Sequence, residues 1–181
     1  MNTFVALLRG VNVGKAKRVP MAELRALLAA LGYSGVATLR NSGNAVFRAN
    51  RGTPAQHAAK IAAAVATRLG VEAPVIVKSA AELTAIVTGN PLVFSTADHS
   101  RLLVAFAQDA RLLADLVAIR SLVAPPEQFA MGRHAAYLLC ASGILGSQAG
   151  EALLGKAGRM TTTRNWATVL KLQALVDNGG T

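Results

Sequence analysis

Residues 36–48 read VATLRNSGNAVFR, and this stretch decides the fold of the first half of the chain. Residues 36–40 and 45–48 are rich in β-branched and other apolar residues, which favours two short strands. Between them lie Asn41, Ser42, Gly43 and Asn44, which all favour turns. The stretch therefore predicts an antiparallel hairpin.

The segments on either side of this hairpin complete a known order of elements. Residues 3–8 form an apolar run long enough for a strand, and Pro20 begins a helix with leucines on one stripe. After the hairpin, Pro54 begins a second helix that ends at Gly70, and residues 74–78 supply another strand. Strand, helix, strand, strand, helix, strand is the split β-α-β order of a ferredoxin-like unit.

The second half of the chain repeats this order more loosely. The predicted elements are a strand at 101–107, a helix at 109–120, strands at 127–131 and 135–140, a helix at 148–154, a weak strand at 159–161 and a helix at 164–176. We therefore predict an α+β protein with two ferredoxin-like halves in tandem, residues 1–79 and 101–181, each with an antiparallel sheet. Residues 80–100, with a short helix at 80–88, form the bridge. Several strands are apolar at consecutive positions, so both faces of each sheet are expected to be covered.

Composition places the chain among cytoplasmic globular proteins. Hydrophobic residues make up 52% of it, which predicts a packed core. No apolar run reaches the roughly 18 residues of a membrane span, and the N-terminus lacks the order of a signal peptide. Cys140 is the only cysteine, so an intrachain disulfide is impossible and a buried thiol is expected.

The net charge of +10 favours an anionic partner, although scattered arginines can also simply solvate a surface. Ferredoxin-like sheets often bind RNA through aromatic residues on their central strands. This chain has only 8 aromatic residues, and the nearest match, Phe47, is expected in the core. Nucleic acid is therefore a possible partner but not the favoured one.

Residues 10–15 read GVNVGK, between the first strand and the first helix. A phosphate-binding P-loop needs four residues between its glycines and Ser or Thr after the lysine. Here there are three, and Ala16 follows Lys15, so a P-loop is excluded. A basic loop remains, residues 9–18, which can bind an anion through backbone amides and cations or can be a tight turn with solvated charge.

The predicted fold brings this basic loop to the hairpin turn, residues 41–44. With right-handed crossovers the first and second strands run parallel, so the segments that follow them lie at the same end of the sheet. The candidate ligand-binding residues are Arg9, Asn12, Gly14, Lys15, Lys17 and Arg18 of the basic loop, with Ser42, Gly43 and Asn44 of the hairpin turn.

Residues 161–166, TTTRNW, supply two further candidates. A threonine is expected to cap the last helix, with Trp166 on its buried stripe. Arg164 and Asn165 then fall in the first helical turn, where a cation opposes the helix dipole. This position favours an anion-linked role for Arg164 and Asn165.

No metal or cofactor is expected. The histidines, His57, His99 and His134, share no metal-ligand spacing with each other or with Cys140, and His57 is expected to be exposed on its helix. The sequence identifies no catalytic residue and does not decide whether the chain is an enzyme.

Several strings, in order, resemble the bacterial domain-of-unknown-function family numbered 1697. They are LLRGVNVG at 7–14, PMAELR at 20–25, SGN at 42–44 before a Val-Phe strand, NP at 90–91, TRNWATV at 163–169 and KL at 171–172. Many relatives carry a second glycine where Lys15 stands and Gln where Asn41 stands. The resemblance implies two ferredoxin-like halves and no particular activity.

The function predicted from these observations is binding of a small anionic ligand at the basic loop and the hairpin turn. Two alternatives stay open, a nucleic-acid-binding module and a structural or oligomeric protein without catalysis. The ligand, any reaction and the oligomeric state are not given by the sequence.

Overall fold

The computed structural model describes residues 1–179, which form two compact units. The first unit comprises Met1–Leu83 together with residues 171–179, and the second comprises Thr84–Leu170. Each unit contains one four-stranded sheet.

The first unit has the predicted order of elements. They are β1 (Asn2–Leu8), α1 (Met21–Ala30), β2 (Ser34–Leu39), β3 (Asn44–Ala49), α2 (Pro54–Leu69) and β4 (Val75–Ser79), followed by α3 (Ala80–Thr88). The strand order is β2-β3-β1-β4, and every neighbouring pair is antiparallel. This is the ferredoxin-like arrangement.

The second unit has the same topology. Its elements are β5 (Leu102–Ala107), α4 (Ala110–Ala114), a 3-10 helix (Asp115–Leu122), β6 (Gln128–Met131), β7 (Ala135–Leu139), α5 (Gln148–Leu154) and β8 (Thr161–Asn165), followed by α6 (Trp166–Asp177). The strand order is β6-β7-β5-β8, again antiparallel throughout. Two tandem ferredoxin-like halves are therefore confirmed.

Two predicted elements of the second half were wrong in detail. The helix expected at 109–120 is α4, capped by Asp109, which then tightens into the 3-10 helix. The weak strand expected at 159–161 is instead β8, because its β-branched threonines pair with β5 as far as Asn165 opposite Leu103. Arg164 therefore lies on a strand and not in the first turn of a helix.

The end of α6 returns to the first unit, where the Arg48 guanidinium donates a hydrogen bond to the Gly179 carbonyl. The domain boundaries predicted at residues 79 and 101 remain a prediction. In the structure the bridge, residues 80–100, is divided between the two units. Its residues up to Leu83 belong to the first unit, and those from Thr84 belong to the second.

Both faces of the central strands are buried, as the consecutive apolar residues predicted. Residues 4–8 of β1 and all of β5 are buried. Phe47 and Trp166 are core residues, at 0% and 2% exposure, which confirms their expected places. Cys140 is also fully buried, and burial raises the pKa of its thiol.

His57 was predicted to be exposed, and this was wrong because its side chain is only 5% exposed. It lies on α2 one turn before Ile61 and two turns before Val65, so it shares their buried stripe. Its ring packs 4.6 Å from the Phe4 ring, centroid to centroid, and its Nδ1 lies 2.8 Å from the Tyr33 hydroxyl. The four-residue spacing of His57, Ile61 and Val65 is therefore enough to predict that His57 is buried.

We predict that His57 makes the protein less stable in mild acid. Burial, and then the charge of Lys60, lower the pKa of His57 below its ordinary 6.5. Below about pH 6.5 the unfolded chain therefore takes up a proton that the folded chain does not, and folding free energy is lost until the pH reaches the folded pKa. Urea unfolding at a series of pH values should show this loss, and His57→Gln should reduce it. An equal pH dependence in both proteins would contradict the prediction.

Candidate functional site

The basic loop has a backbone that folds back on itself after β1. Gly10, Asn12, Gly14 and Lys17 all have positive φ values, between 51° and 64°. The backbone amide of Asn12 donates a hydrogen bond to the Lys17 carbonyl at 3.0 Å, and this bond closes the loop. Asparagine tolerates this left-handed conformation better than most residues. Three of the four positions therefore carry a residue that tolerates a positive φ, and Lys17 is the exception.

The Asn12 side chain fastens the loop to its surroundings. Its Oδ1 accepts a hydrogen bond from the Val19 amide at 2.8 Å. Its Nδ2 donates to the Val19 carbonyl at 2.8 Å, and lies 3.0 Å from the Asn41 carbonyl and 3.1 Å from the Asn41 Oδ1. One amide thus ties both ends of the loop to the hairpin turn.

The hairpin turn packs against the end of β1, as the predicted topology required. The Leu8 amide donates to the Gly43 carbonyl at 2.9 Å. Asn44 is fully buried, and its Nδ2 donates to the Leu39 carbonyl at 3.1 Å and to the Ser42 hydroxyl at 2.9 Å. These contacts assign Ser42 and Asn44 a part in holding the turn.

Four cations of the basic loop divide into two kinds. Arg9 is half-buried, its amide donates to the Pro74 carbonyl at 2.9 Å, and burial lowers the pKa of its guanidinium. Lys15, Lys17 and Arg18 are exposed and line an open cleft of about 600 Å³. The opposite wall of this cleft is the segment between α2 and β4, with Leu69, Gly70, Val71 and Glu72.

The family model for proteins of unknown function, DUF1697, matches residues 1–137, which include the basic loop and the hairpin turn. The chain belongs to this family. The match ends before residues 163–172, where the resemblance noted in the sequence continues.

A solved structure similar to this member of the DUF1697 family is that of a conserved bacterial protein from Streptococcus pneumoniae. It has a TM-score of 0.76 and 24% sequence identity, and the alignment covers 97% of this chain and 98% of that chain. At this identity the likeness shows the fold alone. No curated protein matches the chain.

Arg164 and Asn165 lie in the second unit of this family member, away in sequence from the other candidates. The Arg164 guanidinium donates to the Thr162 hydroxyl and to the Thr163 carbonyl, both at 2.8 Å, and burial lowers its pKa to about 10. Asn165 Oδ1 accepts from the Thr168 amide at 2.9 Å and so caps α6. The predicted capping threonine was therefore wrong, while a ligand role for either residue stays a prediction.

The sequence did not predict that residues 70–72 form a wall of the cleft. In the ferredoxin-like order β4 lies beside β1, and Leu8 pairs with Val75. The segment before β4 must therefore lie beside the segment after β1. The predicted strand order carried this information, although no motif in residues 70–72 points to a site.

Two further features are absent from the part of the chain that the structure describes. Within residues 1–179 no group of three or more His, Cys, Asp and Glu side chains is arranged to hold a metal ion. None of the helices there is long and apolar enough to cross a membrane.

Proposed function

We propose that this protein binds a small anionic ligand in the cleft beside the basic loop. The observation that carries the proposal is the arrangement of Lys15, Lys17 and Arg18 along one cleft of about 600 Å³. Within residues 1–179 none of the three forms an ion pair with a carboxylate. Their charges therefore remain available to a ligand, and charge-assisted hydrogen bonds are among the stronger polar contacts.

The loop that carries these cations is held in shape without them. Asn12 supplies the hydrogen bonds that fasten the loop, and the hairpin turn packs against the end of β1. A ligand then has less backbone to order on binding, which lowers the entropic cost of association. In this proposal Asn12, Ser42 and Asn44 position the loop and the turn.

The remaining loop residues add to the same site. Arg9 contributes positive potential from the base of the loop, since an arginine remains protonated at neutral pH. Gly14 is exposed and offers its backbone close to Lys15. Glu72 is the acidic residue on the facing wall, and it favours ligands whose cationic or hydroxyl groups lie beside their anionic ones.

Calorimetric titration with inorganic pyrophosphate tests the proposal. We expect the triple variant Lys15→Gln, Lys17→Gln, Arg18→Gln to bind about tenfold or more weakly, because it loses three cationic contacts, and tenfold corresponds to about 1.4 kcal/mol. The control is Arg111→Gln, Arg120→Gln, Arg133→Gln, three exposed arginines of the second unit. Both variants remove three positive charges and lower the net charge from +10 to +7. Equal affinities in the two variants would refute a site at the loop.

The same variants separate a small ligand from nucleic acid. If the partner is single-stranded RNA, log affinity should fall with log salt by about 0.7 for each phosphate contacted. RNA binding that persists at physiological salt, and that is lost in the loop variant alone, would replace the small ligand with nucleic acid at this site. Pyrophosphate binding with weak, nonspecific RNA binding would support the proposal as stated.

A further inference from the structure

Two exposed polar residues, Arg40 and Asn41, follow β2 and lie next to the basic loop without lining its cleft. Asn12 joins them to the cleft. Its backbone amide donates to the Lys17 carbonyl at 3.0 Å, and its Nδ2 donates to the Asn41 carbonyl at 3.0 Å. Because Lys17 lines the cleft, a single residue separates the cleft from the hairpin turn.

Hydrogen bonding determines which way the side-chain amide of Asn41 faces. The Val19 amide is a donor, so the Asn12 atom that it contacts at 2.8 Å is the acceptor, Oδ1. The other terminal atom of Asn12 is therefore the donor Nδ2, and the Asn41 atom 3.1 Å from it is the acceptor Oδ1. The Nδ2 of Asn41 then lies on the side of its amide away from Asn12. In this exposed residue, Nδ2 donates to no protein group within residues 1–179.

The backbone is strained at two cations of this region. Within residues 1–179 the non-glycine residues with positive φ are Asn12, Lys17 and Arg40, at 57°, 51° and 56°. All three lie in the loop and turn that Asn12 joins. Glycine adopts this conformation without strain, whereas lysine and arginine do not, so backbone preference does not explain the two cations. Strained residues of this kind cluster at functional sites.

Arg40 brings a further cation that no carboxylate neutralises. Within the described residues, 1–179, its guanidinium forms neither an ion pair nor a hydrogen bond. A guanidinium presents its N–H donors in a planar fork that matches the oxygens of a phosphate group. The adjacent Asn41 Nδ2 adds neutral N–H donors. These two side chains therefore suit an anionic oxygen.

We propose, on the basis of the function proposed above, that Arg40 and Asn41 bind a second anionic group of the same ligand. Its first anionic group lies in the cleft with Lys15, Lys17 and Arg18. The ligand is then a chain of phosphates that extends past Asn12 from the cleft to the turn. Such a chain carries negative charge along its whole length and complements the cations at both ends, whereas a single phosphate reaches only one of them.

Calorimetric titration of the full chain with inorganic pyrophosphate and with inorganic tripolyphosphate tests the proposal. The wild type should bind tripolyphosphate more tightly, because the longer chain contacts both the cleft and the turn. The variant Arg40→Gln with Asn41→Ala should bind tripolyphosphate about tenfold more weakly, since it loses a charge-assisted contact and a neutral one. Its affinity for pyrophosphate, which occupies the cleft, should change less than about twofold.

This variant keeps the attachment of the basic loop. Both substituted side chains are exposed, and the carbonyls of Val19 and Asn41 still accept hydrogen bonds from Asn12 Nδ2. Arg40→Gln alone leaves every bond of Asn12 in place and should still weaken tripolyphosphate binding about threefold or more. An unchanged tripolyphosphate affinity in this single variant would contradict the role of Arg40.

The matched control is Asn50→Ala with Arg51→Gln, which changes the same two residue types at exposed positions after β3. Ala49 pairs with Asn2 at the start of β1, so the control lies at the other end of the first sheet from the basic loop. It should leave both affinities unchanged.

The outcomes distinguish this proposal from the proposed function. Equal tripolyphosphate affinities in the turn variant and its control would overturn the second contact. An equal loss of both ligands in the turn variant, or equal affinities of the wild type for both, would overturn the extended ligand. Pyrophosphate binding that still depends on Lys15, Lys17 and Arg18 would in each case leave the proposed function standing.

Discussion

Replacing Gly43 by alanine is expected to lower the free energy of unfolding by about 3 kcal/mol. Gly43 has a φ of +75°, which disfavours any side chain with a Cβ atom. A Cβ there would also lie 2.7 Å from Val11 Cγ2 and 2.8 Å from Leu8 Cβ. Both neighbours are buried, so neither can withdraw without moving the end of β1 or the basic loop.

Urea unfolding measures this effect, with Gly70→Ala as the matched control. Gly70 ends α2 with a similar φ of +66°, but a Cβ there meets nothing within 4 Å. The control should therefore lose only about 1 kcal/mol, the cost of the left-handed conformation. The difference between the two variants isolates the close packing at Gly43. Equal losses would show that the turn can move away from β1.

Replacing Asn12 by alanine is expected to lower the free energy of unfolding by about 2 kcal/mol and to weaken pyrophosphate binding as well. The change removes the side-chain bonds to Val19 and Asn41, and it leaves the amide of a buried residue, Val19, without its acceptor. The loop then loses its attachment to the hairpin turn, and its cations must be ordered again by the ligand.

Two further substitutions separate the causes of this loss. Asn12→Gly removes the same hydrogen bonds but relieves the positive φ of 57°, so it should be less destabilising than alanine. Asn12→Asp keeps an acceptor for the Val19 amide while it loses both donated bonds, and it adds a negative charge beside the cations. Stability should therefore recover in part, whereas pyrophosphate affinity should not. Unchanged binding in all three variants would contradict the positioning role of Asn12.

The candidate site at the basic loop and the cleft at His57 differ in how visible they are in the sequence. The basic loop is a contiguous stretch of glycines and cations, and the order of elements by itself predicts its place beside the hairpin turn. The cleft at His57 is built from residues 31–60, which share no motif. Its features come from the burial of one imidazole and from Tyr33, whose hydroxyl meets that ring because the segment between α1 and β2 packs beside α2.

Local sequence by itself determined the elements and their order. Turn residues at 41–44, proline at the start of α2 and glycine at its end act through backbone preferences that operate over a few residues. Apolar runs at β1 and β5 likewise predicted burial on both faces, since a half-exposed strand would alternate.

Tertiary structure alone decided the features that depend on residues distant in the chain. The extent of β8 follows from its pairing with β5, and this pairing moved Arg164 from a helix to a strand. Pairing of β4 with β1 likewise brings residues 70–72 to the wall of the cleft. Contacts between segments distant in the chain also place residues 171–179 in the first unit. Local propensity fixes which elements form, whereas pairing and burial between distant segments fix where they end and which side chains meet.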